Sequence, residues 1–315
     1  MGKILLPNRL PGLILGTAQL GEEYGSVIKT KPPSLFDAHK ILNLSTRYGI
    51  NGFDTAPVYK NAEQIIGHFL RKNKSSQAFV TTKVSVKEEL AQSLTAKEAE
   101  LYFSYSILKS VNKLGSSNAI SVLIHNVNQV DLWGGILLYV LKKFKYDGII
   151  HKIGASIQNE RELNKVIQWK ELEIIQLPFN LLDKRMKTKS FVKFFKQREN
   201  LSIHVRSLYL QGILIRNKLA WPQIKGVDPV RILKKLSYLA KKLNRIDVAD
   251  LCIGYVRGHD WVDYCLIGME NITQLELNKK YFIQPALTHA DIRFCDDLIG
   301  EPNEKLVDPS KWPKV

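Results

Sequence analysis

The feature that most constrains the fold is a repeated alternation of short apolar runs with longer segments of helical periodicity. Strands that alternate with helices form βαβ units and a parallel sheet, and eight such units close into a barrel. The pattern therefore predicts an α/β protein with a (β/α)8, or TIM, barrel fold. The eight apolar runs begin near Leu13, Gly52, Ala78, Ala119, Ile149, Glu173, Leu201 and Val262.

The alternative for such an alternation is an open, doubly wound sheet, which would carry a glycine-rich phosphate-binding turn after its first strand. The first turn here is Gly16-Thr17-Ala18-Gln19-Leu20-Gly21, which lacks the G-x-G-x-x-G spacing. We therefore favour the barrel. A length of 315 residues fits one barrel, so we expect a single domain over residues 1–315.

The chain beyond about Ala286 is expected to form an extended tail, because prolines interrupt any long element there. Such a tail could lie across the mouth of the barrel. The walls of a pocket at that mouth would come from the tail and from the loops at residues 21–33 and 126–135. The prolines are Pro285, Pro302, Pro309 and Pro313.

Three helix starts carry capping residues. Ser34 can N-cap a helix that directs Phe36 and Ile41 inward. The sequence Thr95-Ala96-Lys97-Glu98 has the spacing of a capping box. Asp228-Pro229 places an aspartate at the N-cap and a proline at the first helical position.

The formal net charge of +16 raises the possibility of an anionic partner, such as nucleic acid, a phosphorylated substrate or a membrane surface. The lysines are scattered, however, and the denser groups fall on polar faces of predicted helices. No nucleic-acid motif is present, so we expect a solvated surface and no nucleic-acid partner.

Three cysteines, an odd number without metal-type spacing, argue against a disulfide framework and for a reducing, cytoplasmic setting. No apolar run approaches the roughly 18 residues that a membrane span needs. The sequence predicts no metal site, and it does not determine the oligomeric state.

Polar side chains follow three successive strand-like runs. Asp54 ends the second run, Lys83 ends the third and His125 ends the fourth, and Tyr59 comes five residues after Asp54. The C-terminal ends of the strands share one rim of a parallel barrel, so we expect these four side chains to meet there. Each of them alone has an ordinary structural explanation, but their conjunction on consecutive strand ends favours a site.

Together these groups can protonate an oxygen. A phenol with a pKa of about 10 is a weak acid at neutral pH unless a nearby cation stabilises its anion, and Lys83 would do that for Tyr59. Asp54 would hold Lys83 in place, and a neutral His125 would donate a hydrogen bond to a carbonyl oxygen. What the four residues lack is a reductant.

With these residues the sequence resembles the aldo-keto reductase superfamily over nearly its whole length. The family pattern of aspartate, tyrosine, glutamate and glycine is similar to Asp54 through Glu63 with Gly67, and the family's lysine and histidine match Lys83 and His125. The resemblance implies a nicotinamide dinucleotide, NADP(H) or NAD(H), as the hydride donor. The matched cofactor-binding positions are Gly16, Thr17, Asp54, Ser156, Gln176, Arg206, Ser207, Leu208, Gln211, Gly212, Gly268, Glu270, Gln274 and Asn278.

The sequence departs from the family pattern at three places. Ile157 stands where asparagine or arginine is common, and Arg206 stands where an aromatic residue often stacks on the nicotinamide. Glu270 takes the place of a small hydroxyl residue near the ribose 2′-phosphate, which a carboxylate would repel. Glu270 therefore favours NAD or dual use.

The leading hypothesis is an NAD(P)H-dependent reductase of a small aldehyde or ketone, with Tyr59 as the general acid. The opening segment Leu15 to Gly21 with Tyr24-Gly25, and the later segment Arg206 to Gly212, resemble a bacterial branch often associated with surface-polysaccharide or modified-sugar pathways. The carbonyl could therefore be sugar-derived. The alternative is an accessory or sensor protein that binds the nucleotide with little turnover.

Overall fold

A computed structural model describes residues 11–23, 30–73, 77–115, 119–301 and 303–313. Eight parallel strands form a closed barrel in sequence order, with β1 paired to β8, as the sequence predicted. The open, doubly wound alternative is wrong. The strands are β1 (Gly12–Gly16), β2 (Gly52–Asp54), β3 (Phe79–Val84), β4 (Ile120–Ile124), β5 (Ile153–Ser156), β6 (Ile174–Pro178), β7 (Ser202–Arg206) and β8 (Tyr264–Gly268).

Helices connect the strands, and no helix in the described ranges is long and apolar enough to cross a membrane. The α-helices of these ranges are α1 (Ala18–Gly21), α2 (Leu35–Arg47), α3 (Ala62–Lys72), α4 (Glu88–Ala91), α5 (Ala96–Leu114), α6 (Ile136–Tyr146), α7 (Glu160–Val166), α8 (Lys189–Gln197), α9 (Pro229–Lys242), α10 (Val248–Arg257), α11 (Ile272–Phe282) and α12 (His289–Ile299).

The three predicted caps are confirmed. Ser34 accepts a hydrogen bond from the backbone of Asp37 at the start of α2. The Thr95–Glu98 capping box opens α5, and Asp228 caps α9 with Pro229 in its first turn. The prediction that Phe36 points inward is wrong, because this side chain is 75% exposed.

The backbone is left-handed just before α6. Trp133, Gly134 and Gly135 have positive φ angles of 52°, 64° and 85°, so a short 3-10 turn precedes α6. A left-handed conformation cannot continue an α-helix, and glycine is the residue that adopts it without strain. The Trp133 indole donates to the carbonyl of Leu94, which draws this turn toward α5.

Aromatic rings fill the barrel at the N-terminal ends of the strands. The rings of Phe79 and Tyr264 pack edge to face with centroids 5.6 Å apart. Gly12 and Gly52 make room for them, because an added Cβ would lie 2.7 Å from the Tyr264 ring and 2.5 Å from the Phe79 ring. This end of the barrel is therefore closed by side chains, and polar groups collect at the other end.

The C-terminal segment is not extended as predicted. A capping box between Thr288 and Asp291 opens α12, which runs to Ile299. The Tyr255 hydroxyl of α10 donates to Asp296 at 2.7 Å and attaches α12 to the barrel. The prolines flank this helix and do not interrupt it.

Gly67 marks the closest approach of α3 to α5. A Cβ at this position would lie 1.9 Å from the backbone oxygen of Lys113, and a backbone atom cannot move aside as a flexible side chain can. We therefore expect Gly67→Ala to lower the free energy of unfolding by about 1–3 kcal/mol in urea denaturation, despite the better helix propensity of alanine. Gln64→Ala, on the exposed face of the same helix, should change it by less than about 0.5 kcal/mol. Equal stability of the two variants would contradict this account of Gly67.

Candidate active site

The residues that the sequence suggested for chemistry and cofactor binding line one cavity of about 660 Å3 at the C-terminal ends of the strands. This volume lies within the range of small-molecule sites. The lining residues suggested from the sequence are Gly16, Thr17, Asp54, Tyr59, Lys83, His125, Ser156, Gln176, Arg206, Ser207, Leu208, Gln211, Gly212, Gly268, Glu270, Gln274 and Asn278.

A buried ion pair lies at the floor of this cavity. Lys83 Nζ is 2.6 Å from Asp54 Oδ1 and donates to the carbonyl of Thr55 at 3.0 Å. Both charged side chains are almost fully buried, with exposures of 2% and 5%. Burial lowers the pKa of Lys83, but the charges of Asp54 and Tyr59 outweigh it, so the pKa is raised overall and the ammonium stays charged.

Tyr59 comes from the turn between β2 and α3. Lys83 Nζ lies 5.3 Å from the centroid of its ring, within the range of a cation–π contact. The Tyr59 carbonyl accepts from the backbone N–H of Ala62, which fixes the turn. Gly21 of α1 packs on the same carbonyl, since a Cβ there would lie 2.1 Å from it. The half-buried phenol is thus held by backbone contacts on two sides.

His125 follows β4 and lines the cavity with Tyr59 and Lys83. Burial lowers the pKa of His125 to about 4, and the charges of Lys83 and Arg206 act in the same direction. The imidazole is therefore neutral at neutral pH and has one N–H to donate.

A hydrogen-bonded chain joins the fifth and sixth strands to the ion pair. Ser156 Oγ donates to Gln176 Oε1 at 3.3 Å, and Gln176 Nε2 donates to Asp54 Oδ2 at 2.7 Å. Lys83 donates to the other oxygen, Oδ1, so each carboxylate oxygen of Asp54 has a hydrogen-bond partner. These contacts fix the carboxylate without leaving a buried charge unsatisfied.

The segment after β7 has an unusual backbone. Ser207, Leu210 and Gln211 have φ angles of 62°, 45° and 54°, followed by Gly212 at 85°. Left-handed conformations of residues other than glycine are costly, and they cluster at functional sites. Asn180 holds this segment by donating to the carbonyl of Ser207 at 2.9 Å.

The far end of the cavity is formed by α11 and the turn before it. The Glu270 carboxylate accepts from Gln274 Nε2 at 2.8 Å and from the hydroxyl of Thr30. Asn278 accepts from the hydroxyl of Tyr209 at 2.6 Å. Glu270 is thus fixed in the cavity wall by two donors.

Several lining residues could not be singled out from the sequence. Thr30 lies in the loop at residues 21–33, and Asp308 and Ser310 lie in the C-terminal segment, both of which were expected to form walls. Residues 126–135 do not line the cavity, because this loop turns toward α5. Tyr24 and Gly25 are outside the described residues. The remaining additions include Glu162, Tyr209, Arg216 and Leu266.

The lining residues fit a nicotinamide dinucleotide. Neutral hydrogen-bonding groups, Ser156 and Gln176, lie beside Asp54 and suit a carboxamide, while Gln274 and Asn278 at the far end suit the adenosine.

The fold is a (β/α)8 barrel with a cavity at the C-terminal ends of its strands. The model of the aldo/keto reductase family matches residues 12–299. The chain belongs to this family.

One relative of known activity is the NADH-specific methylglyoxal reductase of Escherichia coli (strain K12). It is 31% identical over 153 residues, which make up 44% of this chain and 47% of that protein. The chain therefore matches about half the length of this relative.

Solved aldo-keto reductases have the same fold. The holo form of an aldo-keto reductase from Bacillus halodurans superposes with a TM-score of 0.72 at 19% identity, over 95% of each chain. The glycerol dehydrogenase from Gluconobacter oxydans gives a TM-score of 0.70 at 20% identity, over 94% of each chain.

Proposed function

We propose that this protein is an NAD(P)H-dependent carbonyl reductase, with Tyr59 as the general acid. The observation that carries the proposal is the buried Lys83–Asp54 pair beside the Tyr59 ring. The attraction between Lys83 and Tyr59 is mutual, so the ammonium stabilises the phenolate that remains after proton transfer. His125, neutral and adjacent, donates its N–H to the carbonyl oxygen and orients it.

The dinucleotide, when bound, supplies the hydride to the carbonyl carbon. The chain binds the dinucleotide through Ser156, Gln176 and the segment after β7, and its own side chains deliver the proton. Pre-formed donors at the oxygen stabilise the charge that develops there as the carbonyl is reduced.

The substrate class is a small aldehyde or ketone. The E. coli relative is named for methylglyoxal, which makes this compound the first to test. A sugar-derived carbonyl is the second candidate substrate, because of the resemblance to the branch associated with surface-polysaccharide pathways. A cytoplasmic setting fits the free, buried thiols of Cys252, Cys265 and Cys295.

The test is steady oxidation of NADH and NADPH by the purified protein with methylglyoxal and a panel of small carbonyls. Turnover with any of them supports the reductase. Nucleotide binding without turnover on the whole panel would favour the accessory or sensor protein.

Glu270 points to NADH as the preferred donor. A carboxylate can accept hydrogen bonds from a ribose 2′-hydroxyl, whereas it repels a 2′-phosphate. Thr30 and Gln274 hold this carboxylate in the cavity wall, so it is not free to turn away into solvent. The E. coli relative is named as NADH-specific, which agrees with this direction.

We expect Glu270→Ser to raise the affinity for NADPH relative to NADH by roughly tenfold, because the repulsion is removed. The measurement is a pair of fluorescence titrations on each protein. Glu162→Gln, which neutralises another carboxylate of the same cavity, should leave the ratio unchanged. A wild-type protein that already prefers NADPH a hundredfold, with no change in the Glu270 variant, would refute this role.

A further inference from the structure

Arg206 lies at the end of β7, where its half-buried guanidinium enters the catalytic part of the cavity. Its Nη2 donates to the carbonyl of Ile157 at 3.1 Å, and its Nη1 donates to Ser207 Oγ at 3.4 Å. These contacts connect the ends of β5 and β7 and fix the position of the charge.

The positive charge of Arg206 reaches the catalytic residues. It contributes to the lowered pKa of His125, after burial and Lys83, and it opposes the raised pKa of Lys83. Asp54 does not cancel this field, because its carboxylate is already paired with Lys83 and bonded to Gln176. Among the described residues, Lys83 and Arg206 bring two cations to the catalytic end of the cavity, and Asp54 brings one carboxylate.

The proposed reaction requires the nicotinamide ring to lie in this field. Hydride passes only between atoms about 3–3.5 Å apart. The carbonyl oxygen is bound by Tyr59 and His125, so the ring must lie at the same end of the cavity, which Arg206 also lines. The oxidised ring carries a positive charge and the reduced ring carries none.

We propose, building on the reductase function above, that Arg206 is a specificity residue that makes the protein bind NADH more tightly than NAD+. The guanidinium repels the pyridinium ring but not the neutral dihydropyridine. NAD+ therefore leaves readily after each turnover and inhibits weakly, which biases the enzyme toward carbonyl reduction.

The test compares dissociation constants for NADH and NAD+, from calorimetry or fluorescence, in the wild type and in variants. The ratio of the NAD+ constant to the NADH constant should fall about tenfold in Arg206→Gln. It should be largely kept in Arg206→Lys, which retains the charge. Arg216→Gln removes an arginine that lines the same cavity but is not among the charges that shift His125 and Lys83. This control variant should raise the dissociation constants of NADH and NAD+ by the same factor.

A second measurement needs no substitution. Because Arg206 is half-buried, salt screens part of its charge. The wild-type ratio of the NAD+ constant to the NADH constant should therefore fall as the sodium chloride concentration is raised. An unchanged ratio in Arg206→Gln would overturn the inference, and so would an equal fall in Arg206→Lys.

The outcomes separate this inference from the proposed function. A protein that binds and oxidises NADH, with no dependence of the ratio on Arg206, remains a reductase but contradicts the role of Arg206. A protein that binds neither nucleotide contradicts both.

Discussion

Replacement of Tyr59 by phenylalanine is expected to lower kcat for carbonyl reduction by about 10²–10⁴-fold, the usual contribution of a positioned general acid. The ring keeps its place over Lys83, so the turn after β2 and the ion pair should be preserved. NADH should therefore still bind with nearly its original dissociation constant. Turnover is followed by NADH absorbance, and binding is followed by fluorescence.

Tyr209→Phe is the matched control for this variant, because Tyr209 is another tyrosine of the same cavity. Its hydroxyl bonds to Asn278 at the far end, at 2.6 Å. Loss of one hydrogen bond, about 0.5–1.5 kcal/mol, should weaken NADH binding and leave kcat at the same order. If Tyr59→Phe turned over as fast as the wild type, Tyr59 would not be the proton donor.

The part of the site that lies on strand ends could be predicted from the sequence. Asp54, Lys83 and His125 each stop an apolar run with a polar side chain, and the geometry of a parallel barrel brings such positions to one rim. Ser156 ends β5 and Gln176 lies on β6, so they share this rim, although the resemblance to the family singled them out. Periodicity fixes these positions because the strands are regular.

Side-chain contacts between residues far apart in the sequence could not be predicted. The bond from Gln176 to Asp54 joins residues 122 positions apart, and the bond from Thr30 to Glu270 joins residues 240 positions apart. Such pairs depend on side-chain directions across the barrel or on loop conformations, which no local pattern encodes. The left-handed backbone of Leu210 and Gln211 is likewise imposed by tertiary structure, since neither residue type favours it.

The prediction that the C-terminal segment is extended failed at α12 for a specific reason. The prediction of an extended tail rested on prolines, but Pro285 lies before the helix and Pro309 lies well after it. The capping pattern Thr288-x-x-Asp291 was present in the sequence and indicates a helix start. A capping box therefore predicts a helix between two prolines better than the prolines predict an extended segment.

Replacement of Lys83 by methionine is expected to have the largest combined effect on stability and activity. It would leave Asp54 as an uncompensated charge that is almost fully buried, and the loss of one partner of a buried pair lowers the free energy of unfolding by about 3–5 kcal/mol. Removal of the cation beside Tyr59 should also reduce kcat by about 10²-fold or more. The measurements are urea denaturation and NADH oxidation on the same preparations.

The double variant Lys83→Met/Asp54→Asn separates these two effects. With no buried charge left unpaired, most of the lost stability should return, while activity stays low because the phenolate of Tyr59 still lacks its cation. Lys142→Met, which breaks an exposed pair with Glu171, should change stability by less than about 1 kcal/mol and leave turnover intact. Recovery of activity together with stability in the double variant would mean that Lys83 acts only through the fold and has no part in proton transfer.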